Sequence, residues 1–293
     1  MGFGKCDIEG VLNSYAEFLR SANPANASRF DATLARDRES ALAEAIVFNI
    51  LQTKGLRPEI HDKVGTGGPD FLCCGTRFKP RPEDQFLVEA TCLNQDAVSK
   101  RTHIPKEPSQ GIGGGAVGML TKNICNKAKD KDRQVSDCTM PVVLAIVSSH
   151  FGAMLVMDSH AAELTFASEP YFRVPIGGPA DPANYTALNN SVFIKPGPNG
   201  TIIPCRQSLS AILLIAVYGS HSEVFGILHP EPAYPLNIRL FPDVPFVRLA
   251  QWPIVDGKIA PEWVVGRPSG HRVDHFAARS SNGPRTFAPS VAE

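Results

Sequence analysis

Three carboxylates stand where side chains of that type can act together. Asp70 follows Gly68-Pro69 at the head of an apolar segment, and Glu89 interrupts the apolar run of Phe86-Leu87-Val88 and Ala90. Glu44 lies inside a helical pattern. A carboxylate in a buried strand is costly unless a cation compensates it, so Glu89 demands either a metal ion or a lysine such as Lys127. Asp70 and Glu89, converging from paired neighbouring strands, can hold one divalent cation, and the main-chain oxygen of Ala90 is a further hard donor. Mg2+ or Mn2+ held there would polarise a phosphodiester and lower the pKa of an attacking water. Each acid also has an ordinary reading: Glu44 as a solvated helix residue, Asp70 as an acceptor for turn N–H groups.

The elements that must position these residues follow from hydrophobic period and turn chemistry. Asp7 caps a first helix whose Ile8, Val11, Leu12, Tyr15, Phe18 and Leu19 share a face, and Asn23 to Ser28 reads as a loop. A second helix runs from about Leu34 to Lys54, carrying Leu42, Ala45, Ile46, Asn49 and Ile50 at helical spacing and stopping at Gly55. The period then changes to that of strands at Pro58–Val64, Asp70–Cys74 and Gln85–Leu93, joined by the Gly65–Pro69 turn and the Arg77–Asp84 connection. A long polar and then Gly-rich connection, Asn94–Gly118, leads to a helix over Met119–Gln134 and a buried strand over Pro141–Ser149. Further on, Leu209–Tyr218 and Glu223–Leu228 read as strands, and the proline-rich Pro230–Pro245 as a surface wrap. Phe151–Pro204 shows only turn clusters, and Arg267–Glu293 has the composition of a flexible tail.

The pattern Pro69-Asp70, an 18-residue gap, then Glu89-Ala90-Thr91 resembles the PD-(D/E)XK, or restriction-endonuclease-like, nuclease superfamily. The order helix, three strands, helix, strand agrees with that superfamily's αβββαβ core, and Glu44 falls where many members carry a helical acid. The segment Leu120–Ile146 is also similar to the helix and following strand of bacterial restriction-like proteins. The resemblance implies an α/β fold with a mixed central sheet over residues 34–150, preceded by an N-terminal helix and loop (1–33). A β-rich C-terminal part of the same domain (151–266) and the tail (267–293) would follow. It implies Asp70, Glu89 and Ala90 as metal ligands, Glu44 as a supporting acid, and Mg2+ or Mn2+ as cofactor for hydrolysis of DNA phosphodiester bonds. Thr91 departs from the pattern, because it stands where the family usually has a lysine that orients or deprotonates water. Some members carry that lysine on the following helix, where Lys122 and Lys127 are the candidates and Lys127 matches the family-like position. The alternative is the same fold without catalysis, binding nucleic acid or a protein partner in a defence or repair assembly.

Composition narrows the partners. Lys+Arg and Asp+Glu are equal at 29 each, so the chain lacks the strongly basic balance of a simple nucleic-acid-binding domain. Locally, eight Lys/Arg against four acids between Gln95 and Val135 leave +4 beside the proposed metal site, suited to phosphates, and the resemblance implies DNA ahead of RNA. A homodimer would suit double-strand cutting. No apolar run reaches the ~18 residues of a membrane span, and Met1–Glu9 lacks the apolar core of a leader, which together suggest a cytoplasmic protein without membrane contact. Seven cysteines without a Cys-x-x-Cys pair point to reduced thiols. Gly111–Gly118 lacks the Lys-Ser/Thr ending of a phosphate loop, Gly65-x-Gly67 lacks a third glycine, and no Gly-x-Ser-x-Gly elbow is present. His271 and His275 read as bystanders, and Cys92 as a strand thiol.

Overall fold

A computed structural model of the chain describes residues 7–62, 68–75, 81–106, 116–150, 157–168, 170–172, 184–186, 188, 191–219, 221–255, 257–266 and 285–287. Three helices open it: α1 (Ile8–Ala22), α2 (Pro24–Arg36) and α3 (Arg38–Thr53). The segment expected as a loop at 23–28 is instead the start of α2. The Asn23 side chain accepts the N–H groups of Ala25 and Asn26, and Pro24 takes the first helical position, where its missing N–H costs nothing. Asp37 separates α2 from α3 by accepting the N–H of Ser40. Gly55 ends α3 in the left-handed region (φ 72°), where the Leu56 N–H closes onto the Leu51 carbonyl.

Strands β1 (Glu59–Ile60), β2 (Phe71–Cys74) and β3 (Gln85–Cys92) form an antiparallel meander. Two helices, α4 (Gln95–Thr102) and α5 (Ala116–Gln134), then lead to β4 (Val142–Ser148), parallel to β3. α4 occupies part of the connection expected to be irregular, its first turn capped by the Asn94 side chain on the Asp96 N–H. After α6 (Ser159–Ala167) come β5 (Pro170–Phe172), β6 (Asn184–Thr186), and a hairpin of β7 (Ile194–Pro196) and β8 (Ile202–Pro204). The long strands β9 (Ala211–Tyr218) and β10 (His221–Leu228) follow, with β11 (Pro245–Leu249), β12 (Lys258–Ile259), β13 (Pro261–Val265) and β14 (Arg285–Phe287). The predicted tail lies outside the described residues except for β14, a strand in a small sheet ordered β12-β14-β6-β5. His271, His275 and Gly111–Gly115 also lie outside them.

The main sheet has eight strands, ordered β1-β2-β3-β4-β9-β10-β11-β13, with parallel and antiparallel neighbours mixed. Alternate residues feed two cores. Phe86, Val88, Val143, Ala145, Leu213 and Ile215 meet Tyr15, Leu19, Phe48 and Leu51 of the N-terminal helices. On the other face Leu87, Leu144, Ile146, Ile212 and Leu214 meet Ile124 and Ala128 of α5 and Phe166 of α6. Cover on both faces is why β4 and β9 read as unbroken apolar runs. Among the described residues, no helix is long and apolar enough to cross a membrane.

One close approach sets a stability requirement. A β-carbon at Gly266 would lie 1.9 Å from the carbonyl oxygen of Ile238, an atom fixed in the backbone. Gly266→Ala is therefore expected to destabilise the fold by about 3 kcal/mol or more, lowering Tm by roughly 5–10 °C in a thermal melt. An unchanged Tm would show that the 238 segment moves aside freely.

Candidate active site

The β2–β3 register pairs Phe71 with Val88, and one step further sets Asp70 opposite Glu89. Asp70 stands just before the first residue of β2, and its Oδ2 accepts the N–H of Ala90 at 2.7 Å. In an extended strand a residue's N–H and C=O point to the same neighbour, so the Ala90 carbonyl also faces the Asp70 side. Glu89 is buried, 2% exposed, on the sheet face covered by α5. Its Oε1 takes an ion pair from Lys131, whose ammonium also donates to Gln134 Oε1 at 3.0 Å, while Glu89 Oε2 is buried without a hydrogen-bond partner.

α3 brings Glu44 to the same group. The buried Tyr15 hydroxyl of α1 donates to Glu44 Oε1 at 2.5 Å, which orients the carboxylate. Asp62, just past β1, is ion-paired to Arg29 of α2 and keeps a buried Oδ1 without a hydrogen-bond partner. The chain reaches this place because the N–H of His61 donates to the Asp70 carbonyl at 2.9 Å.

Electrostatically these groups behave as one cluster. Burial pushes the Asp70 carboxyl well above its usual range; the charges of Glu89 and Glu44 push it further, against the Ala90 N–H and Lys131. Glu89 is raised by burial, with Lys131 opposing and Asp62 and Glu44 adding repulsion. Glu44 is raised by burial too, against Tyr15 and Arg29, with Asp62 repelling. Tyr15 is held firmly in its protonated form by burial and by the charge of Glu44. Four carboxylates, Glu44, Asp62, Asp70 and Glu89, thus face two cations, Arg29 and Lys131. A divalent cation would favour the ionised form of these crowded carboxyls.

The sequence-predicted Glu44, Asp70, Glu89 and Ala90 therefore come together, and the predicted Lys127 does not join them. Lys127 lines a separate cavity of about 360 Å³ with Asp37, Ser40 and Cys92, and Lys122 is exposed. Lys131 lies one helical turn beyond Lys127, on the same face of α5, and it is this lysine that reaches Glu89. Cys92 shares a hydrogen bond with the Ser40 hydroxyl at 3.3 Å, and burial pushes its thiol up, so it is poorly suited to nucleophilic work.

Among the described residues, no three His, Cys, Asp or Glu side chains gather closely enough to hold a metal ion by themselves. Mg2+ asks for less, since it keeps several waters and takes one or two carboxylates. The open Oε2 of Glu89, the Asp70 carboxylate and the Ala90 carbonyl supply that smaller donor set. Comparison of the chain with protein-family models, with curated proteins and with solved structures found no match.

Proposed function

We propose that the protein is a metal-dependent nuclease that hydrolyses DNA phosphodiester bonds on a restriction-endonuclease-like core. The observation that carries this reading is the gathering of four carboxyl groups, Glu44, Asp62, Asp70 and Glu89, against only two cations, Arg29 and Lys131. The succession α3, β1, β2, β3, α4, α5, β4 supports it, since apart from the added short helix α4 this is the αβββαβ order of the PD-(D/E)XK superfamily that the Pro69-Asp70 and Glu89-Ala90-Thr91 pattern resembles.

Asp70 and Glu89, with the Ala90 carbonyl, would hold Mg2+ or Mn2+. When bound, the ion supplies Lewis-acid polarisation of the phosphate and a lowered pKa for water. Glu44, fixed by the Tyr15 hydroxyl, orients a water or takes its proton, a task suited to a carboxylate whose pKa is raised by burial. Lys131 provides from α5 the positive charge that Thr91 lacks. Its ammonium steadies Glu89 before substrate binds and the charge developing on the phosphate afterwards.

The test is nicking of a plasmid by the purified chain with Mg2+ or Mn2+. Asp70→Ala and Glu89→Ala are each expected to lower the rate at least ~100-fold. Cleavage surviving in both variants defeats the assignment. One observation favours a second reading: Lys131 already neutralises Glu89 without a metal. The fold would then be a catalytically silent module for nucleic acid, with DNA binding in EDTA and no cleavage under any divalent ion.

A further inference from the structure

Helix geometry turns Lys131 roughly opposite to Lys129 and Arg133, so α5 presents a second polar side away from the acidic cluster. There Lys129, Asp132 and Arg133 line a cleft of about 550 Å³, whose far wall carries Lys195 of β7 and Arg206. Four cations face one carboxylate. Among the described residues none of the four is engaged in an ion pair.

The cleft also has a fixed member. Arg206 adopts a left-handed backbone, φ 62°, which residues with side chains rarely accept. Its Nη1 is tied to the carbonyls of Val192 and, at 3.4 Å, Ser191, so the guanidinium is held in place by the chain just before β7. Arg206 Nε and Asp132 Oδ1 are both buried without hydrogen-bond partners. The open N–H of Arg206 is a buried donor that a bound anion satisfies, whereas Asp132 is the one lining carboxylate that a phosphate does not relieve.

We infer that this cleft holds the phosphates of a single nucleic-acid strand, beside the bond placed at the acidic cluster; this rests on the nuclease reading above. A strand laid across α5 would have one phosphate at Asp70 and Glu89 and others at Lys129, Arg133 and Lys195. A cleft of about 550 Å³ is in the size range of a small-molecule pocket, which suits one locally unpaired strand better than an intact duplex. Arg206 fixes the register of the strand, and the exposed lysines and Arg133 add affinity that salt can screen.

The test uses the full chain carrying Asp70→Asn, in EDTA, with fluorescence anisotropy of a short labelled DNA single strand between about 50 and 200 mM salt. Adding Arg133→Ala and Lys195→Ala, both at exposed positions that leave folding intact, is expected to weaken binding at least ~10-fold. The slope of log affinity against log salt should fall by about 1.4, or 0.7 for each lost phosphate contact. A duplex of the same sequence should bind less tightly than the strand, and millimolar inorganic phosphate should compete. Unchanged affinity and slope, or tighter binding of the duplex, overturns the inference. Nicking by the native chain is measured in parallel. Loss of strand binding without any nicking keeps the cleft and removes the nuclease, whereas nicking with unaltered strand binding does the reverse.

Discussion

Lys131→Met is expected to lower the stability of the folded chain at pH 7–8 by about 2–4 kcal/mol, and Glu89→Gln in the same molecule to restore most of the loss. Glu89 has 3% of its side-chain surface open, and its Oε1 depends on the Lys131 ammonium. Removing the cation leaves a buried charge without compensation, which costs about 3–5 kcal/mol in fully buried pairs. Lys131 retains 23% side-chain exposure, so water screens part of that penalty and the lower figure applies. Methionine keeps most of the aliphatic stem, so the loss reports charge more than packing. The check is a double-mutant cycle on denaturant midpoints, in which independent sites add within about 0.5 kcal/mol and coupled ones do not. Additive effects would mean that Glu89 is neutralised by some other group. The Lys131→Met chain should also recover as pH falls, because a protonated Glu89 no longer needs the ammonium.

Asp70→Asn is the second large effect, and here stability and activity move in opposite directions. The folded-state pKa of Asp70 lies above its unfolded value, through burial first and the charges of Glu89 and Glu44 next. A group raised in this way binds its proton more tightly in the folded chain. Its contribution is therefore fully present below the unfolded pKa of about 3.9, and it is lost as pH rises through the folded value. At pH 8, well above the unfolded pKa, Asp70 works against the fold whether it gives up its proton or is made to keep it. Asparagine keeps an oxygen for the Ala90 N–H and removes the charge, so the variant is expected to be about 1–2 kcal/mol more stable, with Tm raised by roughly 3–6 °C. The advantage should shrink as pH is lowered toward 4. Mg2+ should stabilise the native chain by about 2.7 kcal/mol at a hundredfold excess over Kd, raising its Tm, and leave the variant unmoved. A lower Tm at pH 8, or an equal response to Mg2+ in both chains, would sink the account of Asp70 as a strained, cation-seeking acid.

Much of this arrangement was legible in the sequence, for reasons that differ by element. β4 and β9 announce themselves as continuous apolar runs because both sheet faces are covered. Glu89 stood out because it breaks such a run, and Asp70 because a Gly-Pro turn delivers it to the next strand. The lysine was misplaced by one turn. Lys127 and Lys131 share a helix face, and which of them meets Glu89 depends on how far α5 has slid along the sheet, a tertiary quantity that spacing does not carry. Tyr15, Arg29 and Asp62 were invisible for a related reason. Each reads as an ordinary surface or core residue, and Tyr15 meets Glu44 across 29 residues of chain. α2 was masked by its turn-forming residues, although Asn23-Pro24 is a serviceable helix start. α4 was masked by its polarity, since only Ala97 and Val98 give it an apolar side.

The junction of β4 with β9 has a further consequence. Residues 143–148 are hydrogen-bonded in parallel to residues 211–216, so the acidic half of the molecule and the C-terminal half meet along a shared ladder instead of a linker. A segment bounded near residue 150 is consequently no portable module. Recombination that carried it elsewhere would have to bring a substitute partner strand for β4, and the acidic cluster at Asp70 and Glu89 is inherited only together with the C-terminal part of the sheet.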